Sequence, residues 1–456
     1  MPKAMRPKWP KITWSSSHRK IGPYILGINP WIYDFAAYNL WSRPVGLLVC
    51  LDMLREAGAN VALLDCMDKT WQDHPWPKPH LFGKGHYPKS SLPKPFVYLN
   101  IPRKFSRYGL SYEAVKGALQ KISPHPDLIL ITSIMTYWYP GVVATLNLVR
   151  DIFPKAKVVL GGIYATLCFE HAQQWGFDLI LKGPLETPDN WSKLWELLGI
   201  SAPSLPNGAG LKMALDLYRG KEFSILLGSR GCPFNCEYCA SRLLYNNFQQ
   251  KEYSCFIQEF ENEFLKGVRN FAFYDDALLV NPQKWLIPFL KYVIKNKLKI
   301  RLHTPNAMHV RYLNRDICKL FYQAGLTTIR LGLETANFNS RLDKKLTKEQ
   351  WERGLSNLFN AGFKPEQIGA YILFGLPEQT EAEIKAAISF VKTWGIQPDL
   401  AYFTPIPHTS IFEQAKKVSP YPLSEEPLFQ NNSIWPCVPG GFSWEKASFW
   451  KSLLRL

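Results

Sequence analysis

The chain has 456 residues, of which 46% are apolar and 20% charged, and its formal net charge is +17. This length exceeds one ordinary hydrophobic core and fits two domains, while the apolar share excludes wholesale disorder. No stretch approaches the roughly eighteen uninterrupted apolar residues of a membrane-spanning helix, and the basic residues 1–20 lack the apolar core of a secretory signal.

The positive charge is spread through the chain, with local density at residues 3–20, 84–108 and 291–301. Diffuse charge of this kind is most often solvated surface, which argues against a nucleic-acid partner. RNA binding stays open as the alternative, because basic residues and aromatic side chains are both abundant.

After the basic tail at residues 1–20, the chain alternates short apolar strands with helices. Strands are predicted at residues 24–30, 61–65, 127–132, 157–162 and 178–181, and helices at 45–57, 142–152 and about 167–175. Continuous apolar runs are typical of parallel strands that are covered on both faces. The pattern predicts a doubly wound, Rossmann-like α/β domain over residues 21–190, with ligands at the carboxyl ends of its strands. Residues 70–110 interrupt the pattern with an insertion that it does not assign.

Residues 191–215 are rich in Pro and Gly and are predicted to be a linker. The next segment, residues 216–415, repeats the strand–helix pattern six times, which predicts a partial (β/α)6 barrel. Its strands are expected at residues 223–227, 270–274, 300–302, 328–333, 368–373 and 400–403. Residues 416–456 form an extension that either caps the barrel mouth, which we favour, or packs beneath it.

The loop after the first barrel strand carries Cys232, Cys236 and Cys239, spaced Cys-x3-Cys-x2-Cys. A cluster of four irons and four sulfides takes four ligands, so three thiolates leave one iron open. A structural zinc site would need a fourth ligand, usually in a second pair, and no such pair follows. The spacing therefore predicts a [4Fe–4S] site with these three cysteines as metal ligands. A reducing cytoplasm suits a chain whose nine cysteines include such a cluster.

The same loop resembles the radical SAM superfamily, whose signature is Cys-x3-Cys-x-aromatic-Cys. Tyr238 fills the aromatic position, and residues 228–233 resemble the usual approach to the signature. The resemblance implies that the open iron chelates the amino and carboxylate groups of S-adenosylmethionine. One electron, from an external donor such as flavodoxin or ferredoxin, then produces a 5′-deoxyadenosyl radical.

Acidic residues at two strand ends resemble further motifs of the superfamily. Asp275 and Asp276 follow the second barrel strand, where the resemblance implies that they accept hydrogen bonds from the ammonium of S-adenosylmethionine. An Asx turn with a helix cap is the structural alternative. Glu334, in a stretch similar to "G-x-E-S/T", is expected near the ribose or carboxylate, or else in an ion pair with Arg330.

Two positions later in the barrel also resemble motifs of the superfamily. Gly375 follows the fifth strand, where the resemblance implies close approach of the backbone to adenine. His408 stands where relatives often have the glycine of "P-x-P-G-T", which makes it a candidate catalytic base at the barrel mouth. A lone histidine is more often a satisfied polar residue.

The amino-terminal domain resembles the cobalamin-binding domains that are fused to many radical SAM enzymes. Ser133, Thr136, Gly161 and Gly162 are the residues that this resemblance assigns to the corrin or its nucleotide tail. The motif that supplies an axial histidine is absent, because the matching stretch, residues 65–68, reads Asp-Cys-Met-Asp. The alternative is an inherited fold that binds only substrate.

Taken together, the motifs predict a radical SAM enzyme with a [4Fe–4S] cluster, S-adenosylmethionine and cobalamin as cofactors, and methyl transfer to an unactivated carbon as its reaction. A cobalamin-independent cyclisation or rearrangement and an RNA-modifying activity are the enzymatic alternatives. An RNA- or protein-binding scaffold with a structural cluster is the alternative of another class, against which the open iron argues. The substrate is not identified by the sequence.

Overall fold

The computed structural model describes residues 11–16, 22–70, 76–78 and 80–455. The chain forms two compact units, Met1–Tyr98 with Arg103–Gly220, and Leu99–Pro102 with Lys221–Leu456. Of the predicted basic tail, only residues 11–16 lie within the described part of the chain. No helix in the described ranges is long and apolar enough to cross a membrane.

The first unit is built on a six-stranded sheet. Its strands are β1 (Ser15–Ser16), β2 (Tyr24–Asn29), β3 (Asn60–Asp65), β4 (Leu128–Ile131), β5 (Lys157–Leu160) and β6 (Leu179–Ile180). Their spatial order is β1-β3-β2-β4-β5-β6, and every pair is parallel except the edge pair of β1 with β3. All four residues of β4 are buried, as expected for a strand that is covered on both faces.

The strand order places a crevice between β2 and β4. From β2 the chain first adds β3 on one side and then β4, β5 and β6 on the other, so the winding direction reverses there. Ligands of doubly wound sheets bind outside the carboxyl ends of the strands at such a switch point. Asn29 ends β2, and Thr132 and Ser133 follow β4 at this edge.

The insertion that the sequence left unassigned folds onto the segment after β2. The strands Lys89–Ser91 and Ser106–Tyr108 pair antiparallel with each other, and the second pairs with Ile32–Asp34. A further short pair joins Tyr38–Asn39 to Gly85–His86. Helices of the first unit are Val45–Glu56, Tyr112–Leu119, Tyr139–Ile152, Ile163–Leu167, Phe169–Ala172 and Pro188–Leu197.

Two predicted boundaries in the first unit differ from the observed helices. The helix expected near residues 167–175 is observed as the helix Phe169–Ala172 followed by the 3-10 turn Gln173–Trp175, and it begins after Cys168 because the backbone of Cys168 (φ −128°, ψ 46°) leaves the helical region. The predicted linker at residues 191–215 begins inside the helix Pro188–Leu197. Thr187 caps that helix by accepting a hydrogen bond from the Asn190 amide, and Pro188 occupies its first turn.

The second unit contains six parallel strands in sequential order, which confirms the partial barrel. They are β7 (Ser224–Leu226), β8 (Asn270–Phe273), β9 (Arg301–His303), β10 (Leu326–Glu334), β11 (Ile368–Phe374) and β12 (Gln397–Tyr402). Phe271, Leu302 and Leu331 on three of these strands are fully buried in one apolar core. Sequential parallel order brings all six carboxyl ends to one edge, where the loops can assemble a site.

The helices between and after these strands are Ser241–Leu244, Tyr253–Lys266, Leu286–Lys295, Arg315–Gln323, Lys348–Asn360, Glu381–Lys392, Phe412–Val418 and Trp444–Leu453. Two of them begin with a full capping box, formed by Thr347 with Gln350 and by Thr380 with Glu383. These caps fix where the helices after β10 and β11 begin, and therefore the length of the loops at the site.

The carboxyl-terminal extension packs along the last strands of the second unit. The Trp435 ring lies 4.9 Å from Phe374 and 6.1 Å from Tyr402, at the carboxyl ends of β11 and β12. Farther along, the Leu454 carbonyl accepts a hydrogen bond from Gln397, the first residue of β12. The extension therefore contacts this part of the barrel at both ends of β12.

Candidate active site

The three cysteines of the signature lie on one loop at the carboxyl edge of the barrel. Cys236 is buried at 9% exposure, Cys232 is intermediate and Cys239 is exposed. Backbone hydrogen bonds hold the middle of the loop on two sides: the Glu237 amide donates to the Leu342 carbonyl, and the Glu237 carbonyl accepts from the Ile411 amide. The loop is thus fixed by the segments that follow β10 and β12.

Asp275, at the end of β8, holds the entry to this loop. Its carboxylate accepts hydrogen bonds from the Gly228 amide at 3.1 Å and from the Ser229 hydroxyl at 2.6 Å. Burial raises the pKa of Asp275 to about 7, although these hydrogen bonds oppose the shift. A contact of Asp275 with the ammonium of S-adenosylmethionine stays a prediction.

Asp276 holds the exit from the loop. Its carboxylate accepts hydrogen bonds from the Gly231 amide and the Ser241 hydroxyl. Ser241 in turn lies against the third cysteine: its amide is 3.5 Å from the Cys239 Sγ, and its hydroxyl is 3.4 Å from the same atom. Hydrogen bonds to cluster sulfurs help to set the reduction potential of iron–sulfur clusters. Both predicted acids therefore support the cysteine loop.

Two predicted site residues share an unusual backbone conformation. Glu334 has φ 64° and His408 has φ 68°, in the left-handed region that non-glycine residues seldom adopt. At His408 this explains why a glycine suits the same position in similar sequences, since glycine adopts this conformation without strain. Such residues concentrate at functional sites. His408 is exposed, and its turn is closed by hydrogen bonds from Thr409 to the Ile406 carbonyl.

A charged cluster that the sequence analysis missed lies beside Glu334. Arg341 and Asp343 form a two-pronged ion pair with both nitrogen–oxygen distances at 2.8 Å and side chains 2% and 1% exposed. Lys345 follows, with its Nζ 3.6 Å from Asp343 and 4.0 Å from Glu334. The sequence signal for this cluster was weak. It consists of three basic residues and one acid in Arg-Leu-Asp-Lys-Lys, residues 341–345, and such a run of charges is equally typical of solvated surface.

Lys345 also acts on the cysteine loop. Burial raises the pKa of the Cys236 thiol, and the ammonium of Lys345 opposes that shift. Because thiolates are the metal-ligating form of cysteine, the nearby ammonium of Lys345 favours ligation by Cys236. Lys345 therefore links the second cysteine to Glu334 at the barrel mouth.

Tyr238 and Gly375 meet apolar residues of the second unit. Tyr238 packs against a cluster that includes Phe403 and Ile411, and its buried hydroxyl has no hydrogen-bond partner among the described residues. Burial raises the pKa of this hydroxyl, so it remains a neutral donor. At Gly375 (φ 83°) a Cβ atom would lie 3.1 Å from the Val438 side chain, so the extension also approaches the loop after β11.

The three thiols of the cysteine loop lie near enough to influence one another's pKa. In the described ranges, no three His, Cys, Asp or Glu side chains are grouped as the ligands of one metal ion. Cysteines of a cubane each bind a different iron, so their sulfurs lie farther apart than ligands around one ion. The three thiols still influence one another, since Cys236 and Cys239 both raise the pKa of Cys232, after burial, to about 11.

In the first unit, the two adjacent glycines predicted to contact cobalamin have different surroundings. Gly162 has φ 90°, and a Cβ atom there would lie 2.5 Å from the Ser133 carbonyl oxygen, so glycine is required for the fold. At Gly161 a Cβ atom would meet nothing within 4 Å. Gly161 follows β5 at the carboxyl edge of the sheet, so its backbone is open to a ligand.

Ser133 and Thr136 lie beside these glycines and are buried at 4% exposure each. The Ser133 hydroxyl accepts a hydrogen bond from the Tyr164 amide at 2.9 Å, and the Ser133 carbonyl accepts one from the Ile163 amide. Ser133 therefore caps the helix after the glycines, while its hydroxyl proton remains to be donated. Contact of either side chain with a cofactor stays a prediction.

Residues 65–68, which match the motif with an axial histidine but lack that histidine, are held by contacts within the protein. Asp65 accepts hydrogen bonds from the Asn29 side chain at 2.7 Å and from the Tyr218 hydroxyl at 2.6 Å. Arg43 lies 3.8 Å from Asp65 and 3.7 Å above the Tyr218 ring. Met67, at the position that matches the histidine, is 6% exposed in a small apolar cluster. This stretch supplies no imidazole to a corrin.

Comparisons with known proteins agree with this geometry. The family model of the radical SAM superfamily matches residues 226–391, which include the cysteine loop, Glu334 and Gly375. An uncharacterized methyltransferase of Pyrococcus horikoshii is 24% identical over 343 residues, or 67% of this chain and 72% of that protein. The anaerobic magnesium-protoporphyrin IX monomethyl ester cyclase of Cereibacter sphaeroides is 25% identical over 353 residues; the chain spans 56% of its length.

Among solved structures, the fold is similar to that of the radical S-adenosylmethionine methyltransferase TsrM from Kitasatospora setae. The TM-score is 0.62 at 16% identity, over 88% of this chain and 80% of that one. That structure was determined with cobalamin and a [4Fe–4S] cluster bound. The superfamily acts through a [4Fe–4S] cluster and S-adenosylmethionine and requires an electron donor. The chain therefore contains a radical SAM domain over residues 226–391, and its fold as a whole is similar to that of TsrM.

Proposed function

We propose that the chain is a cobalamin-dependent methyltransferase that transfers a methyl group to an unactivated carbon. The observation that carries the proposal is the open backbone at Gly161, at the ligand edge of a doubly wound domain that precedes a radical SAM barrel. When bound, the [4Fe–4S] cluster supplies the electron that cleaves S-adenosylmethionine, and cobalamin supplies a transferable methyl group. Cys232, Cys236 and Cys239 would hold the cluster.

Glu334 and Lys345 are the residues that we assign to the methionyl end of S-adenosylmethionine. Their side chains carry opposite charges, lie 4.0 Å apart and are each 12% exposed. A zwitterion with one ammonium and one carboxylate can pair with both of them at once, and charge-assisted hydrogen bonds are strong where water is largely excluded. The ion pair of Arg341 with Asp343 would orient Lys345, because Asp343 contacts both cations.

The names of three similar proteins support two different reactions. Methyl transfer is the reaction of TsrM and the named class of the Pyrococcus protein, whereas the Cereibacter relative is a cyclase. The fold match covers most of this chain and extends over both of its units, which favours the methyltransferase. The second candidate is a cyclisation that proceeds without cobalamin, and corrin binding by the first unit distinguishes it from the cobalamin-dependent methyltransferase.

The proposal is tested by anaerobic reconstitution of the full chain with iron, sulfide and hydroxocobalamin, followed by desalting. We expect retained corrin absorption together with cluster absorption. With a reductant and S-adenosylmethionine carrying a labelled methyl group, we expect label on the bound cobalamin. A protein that holds the cluster but retains no corrin would contradict the cobalamin-dependent reaction and leave the cyclase candidate.

Filling the space at Gly161 is expected to block cobalamin binding. Gly161→Phe adds a ring where no protein atom lies within 4 Å of the new Cβ, so the fold should tolerate it. We expect at least a tenfold loss of retained corrin, measured by absorption after desalting. Gly161→Ala is the matched control and should retain most of the cofactor. Equal corrin retention by Gly161→Phe and the unaltered chain would refute this placement.

Removing the charge of Lys345 is expected to weaken binding of S-adenosylmethionine. A lost hydrogen bond to a charged group costs about 1.5–3 kcal/mol, so Lys345→Met should lower the affinity roughly 10- to 100-fold. Equilibrium binding to the reconstituted protein measures this, with iron content determined in parallel because Lys345 also adjoins Cys236. The neighbouring Lys344 is exposed, so Lys344→Met is the control. Unchanged affinity in Lys345→Met at full iron content would rule out the assignment.

A further inference from the structure

The insertion in the first unit has a one-sided charge. Residues 80–98 and 103–107, here called the basic segment, contain six basic residues and no Asp or Glu. The basic residues are Lys84, Lys89, Lys94, Arg103, Lys104 and Arg107. The segment therefore contains no carboxylate that could neutralise its own positive charge. A surface of this kind attracts anions.

The basic segment is folded rather than loose. Its strands Lys89–Ser91 and Ser106–Tyr108 belong to the antiparallel sheet of the first unit. Tyr98, Phe105 and Tyr108 are at most 4% exposed and form its inner face. Lys89 lies 5.9 Å from the Tyr108 ring centre, and Arg103 lies 5.6 Å from that of Phe35, so parts of the charged layer rest on aromatic rings.

The basic segment presents two large apolar side chains to solvent. Phe96 is 87% exposed and Leu81 is 73% exposed. Among the large hydrophobic residues that the structure describes, Leu265 in the second unit is the one other above 70%. Single exposed apolar residues are common, but two on one acid-free segment of basic charge form a distinct combination.

Both exposed side chains stand on short 3-10 turns with anchored neighbours. Phe96 begins the turn Phe96–Tyr98, whose Tyr98 ring lies 4.8 Å from that of Phe35. Leu81 begins the turn Leu81–Gly83, whose Phe82 carbonyl accepts a hydrogen bond from the Trp41 indole at 2.7 Å. These contacts hold the turns in place, so contact of Phe96 and Leu81 with a partner would cost little conformational entropy.

We propose that the basic segment binds the surface of an anionic lipid bilayer. Phe96 and Leu81 would enter the interfacial region, and the Lys and Arg side chains would pair with anionic headgroups. The choice of a bilayer over RNA rests on the residue types. RNA-binding surfaces stack bases on exposed aromatic rings, whereas here one of the two exposed apolar side chains is aliphatic and lysines outnumber arginines. This proposal does not depend on the cofactor of the first unit.

The test is flotation of the full chain with vesicles. One set contains phosphatidylcholine alone, and the other contains phosphatidylcholine with phosphatidylglycerol. We expect the chain to float with the anionic vesicles at low salt, to stay behind with the neutral ones, and to bind at least tenfold less in high salt, because salt screens the headgroup attraction. Absence of binding to anionic vesicles, or equal binding to both sets, would overturn the proposal.

Variants separate the apolar contribution from the electrostatic one. Leu81→Ser with Phe96→Ser should reduce binding to anionic vesicles at least tenfold, and Lys89→Glu with Lys104→Glu should abolish it. Leu265→Ser is the matched control, because Leu265 is 81% exposed on the helix Tyr253–Lys266 and should leave binding unchanged. Circular dichroism checks that each variant folds. Vesicle binding that survives the serine variants, or binding of single-stranded RNA without vesicle binding, would show that the segment serves another partner.

Discussion

Replacing Cys236 with alanine is expected to prevent assembly of the [4Fe–4S] cluster and to abolish 5′-deoxyadenosine formation. Three thiolates on one loop leave no spare ligand, so two cannot hold a cubane in which one iron must stay open for S-adenosylmethionine. Iron and sulfide content, cluster absorption and 5′-deoxyadenosine formation after anaerobic reconstitution measure the effect. We expect a complete loss of all three.

The fold should survive this change, because the loop is also held by other contacts. The Asp275 and Asp276 carboxylates and the backbone hydrogen bonds of Glu237 remain in the variant. Cys255→Ala is the matched control, since it removes a partly buried thiol on a helix of the same unit. A Cys236→Ala protein that still forms 5′-deoxyadenosine would disprove the assignment of the cluster ligands.

Replacing Arg341 with methionine is expected to destabilise the second unit by about 3–5 kcal/mol, the usual cost of leaving one partner of a buried ion pair without the other. The Asp343 carboxylate is 1% exposed, so it would stay buried after the change. Lys345, whose Nζ lies 3.6 Å away, would then be its remaining cationic partner. Urea unfolding, followed by circular dichroism at constant pH, measures the change in the free energy of unfolding.

Two further variants decide how this loss arises. Arg341→Met combined with Asp343→Leu should recover much of the stability, because the pair is then replaced by apolar groups. Lys348→Met breaks an exposed pair with Glu352 and should cost less than about 1 kcal/mol. A loss in Arg341→Met no larger than that in Lys348→Met would contradict a structural role for the buried pair.

The strands and the cysteine loop could be predicted because their signals are local. Buried parallel strands are continuous apolar runs in the sequence. Of the eleven parallel strands in the two sheets that the structure describes, ten overlap the predicted range by at least three residues, or lie wholly within it. The remaining strand, β9, begins and ends one residue later than its predicted range, 300–302. The Thr-x-x-Gln and Thr-x-x-Glu sequences that form the two capping boxes are local signals of the same kind.

The polar surroundings of the site were less predictable, because their partners are distant in sequence. Lys345 gained its importance only when the fold brought it to Glu334 and Cys236. Asp275 and Asp276 were expected to face S-adenosylmethionine, which stays a prediction, and the structure shows that they bind the two ends of the cysteine loop. A carboxylate at a strand end has the same sequence signature in either role.

The sequence by itself therefore determined the fold class, the order of strands and helices, and the three thiols of one loop, because each depends on neighbours within a few residues. Only the tertiary structure decided that Gly162 serves the fold while Gly161 faces open space. It also decided that Arg341 and Asp343 support Lys345, and that Phe96 and Leu81 remain outside the apolar core. The physical reason is that burial, ion pairing and open space are properties of atoms brought together by folding, and residue order alone does not fix those distances.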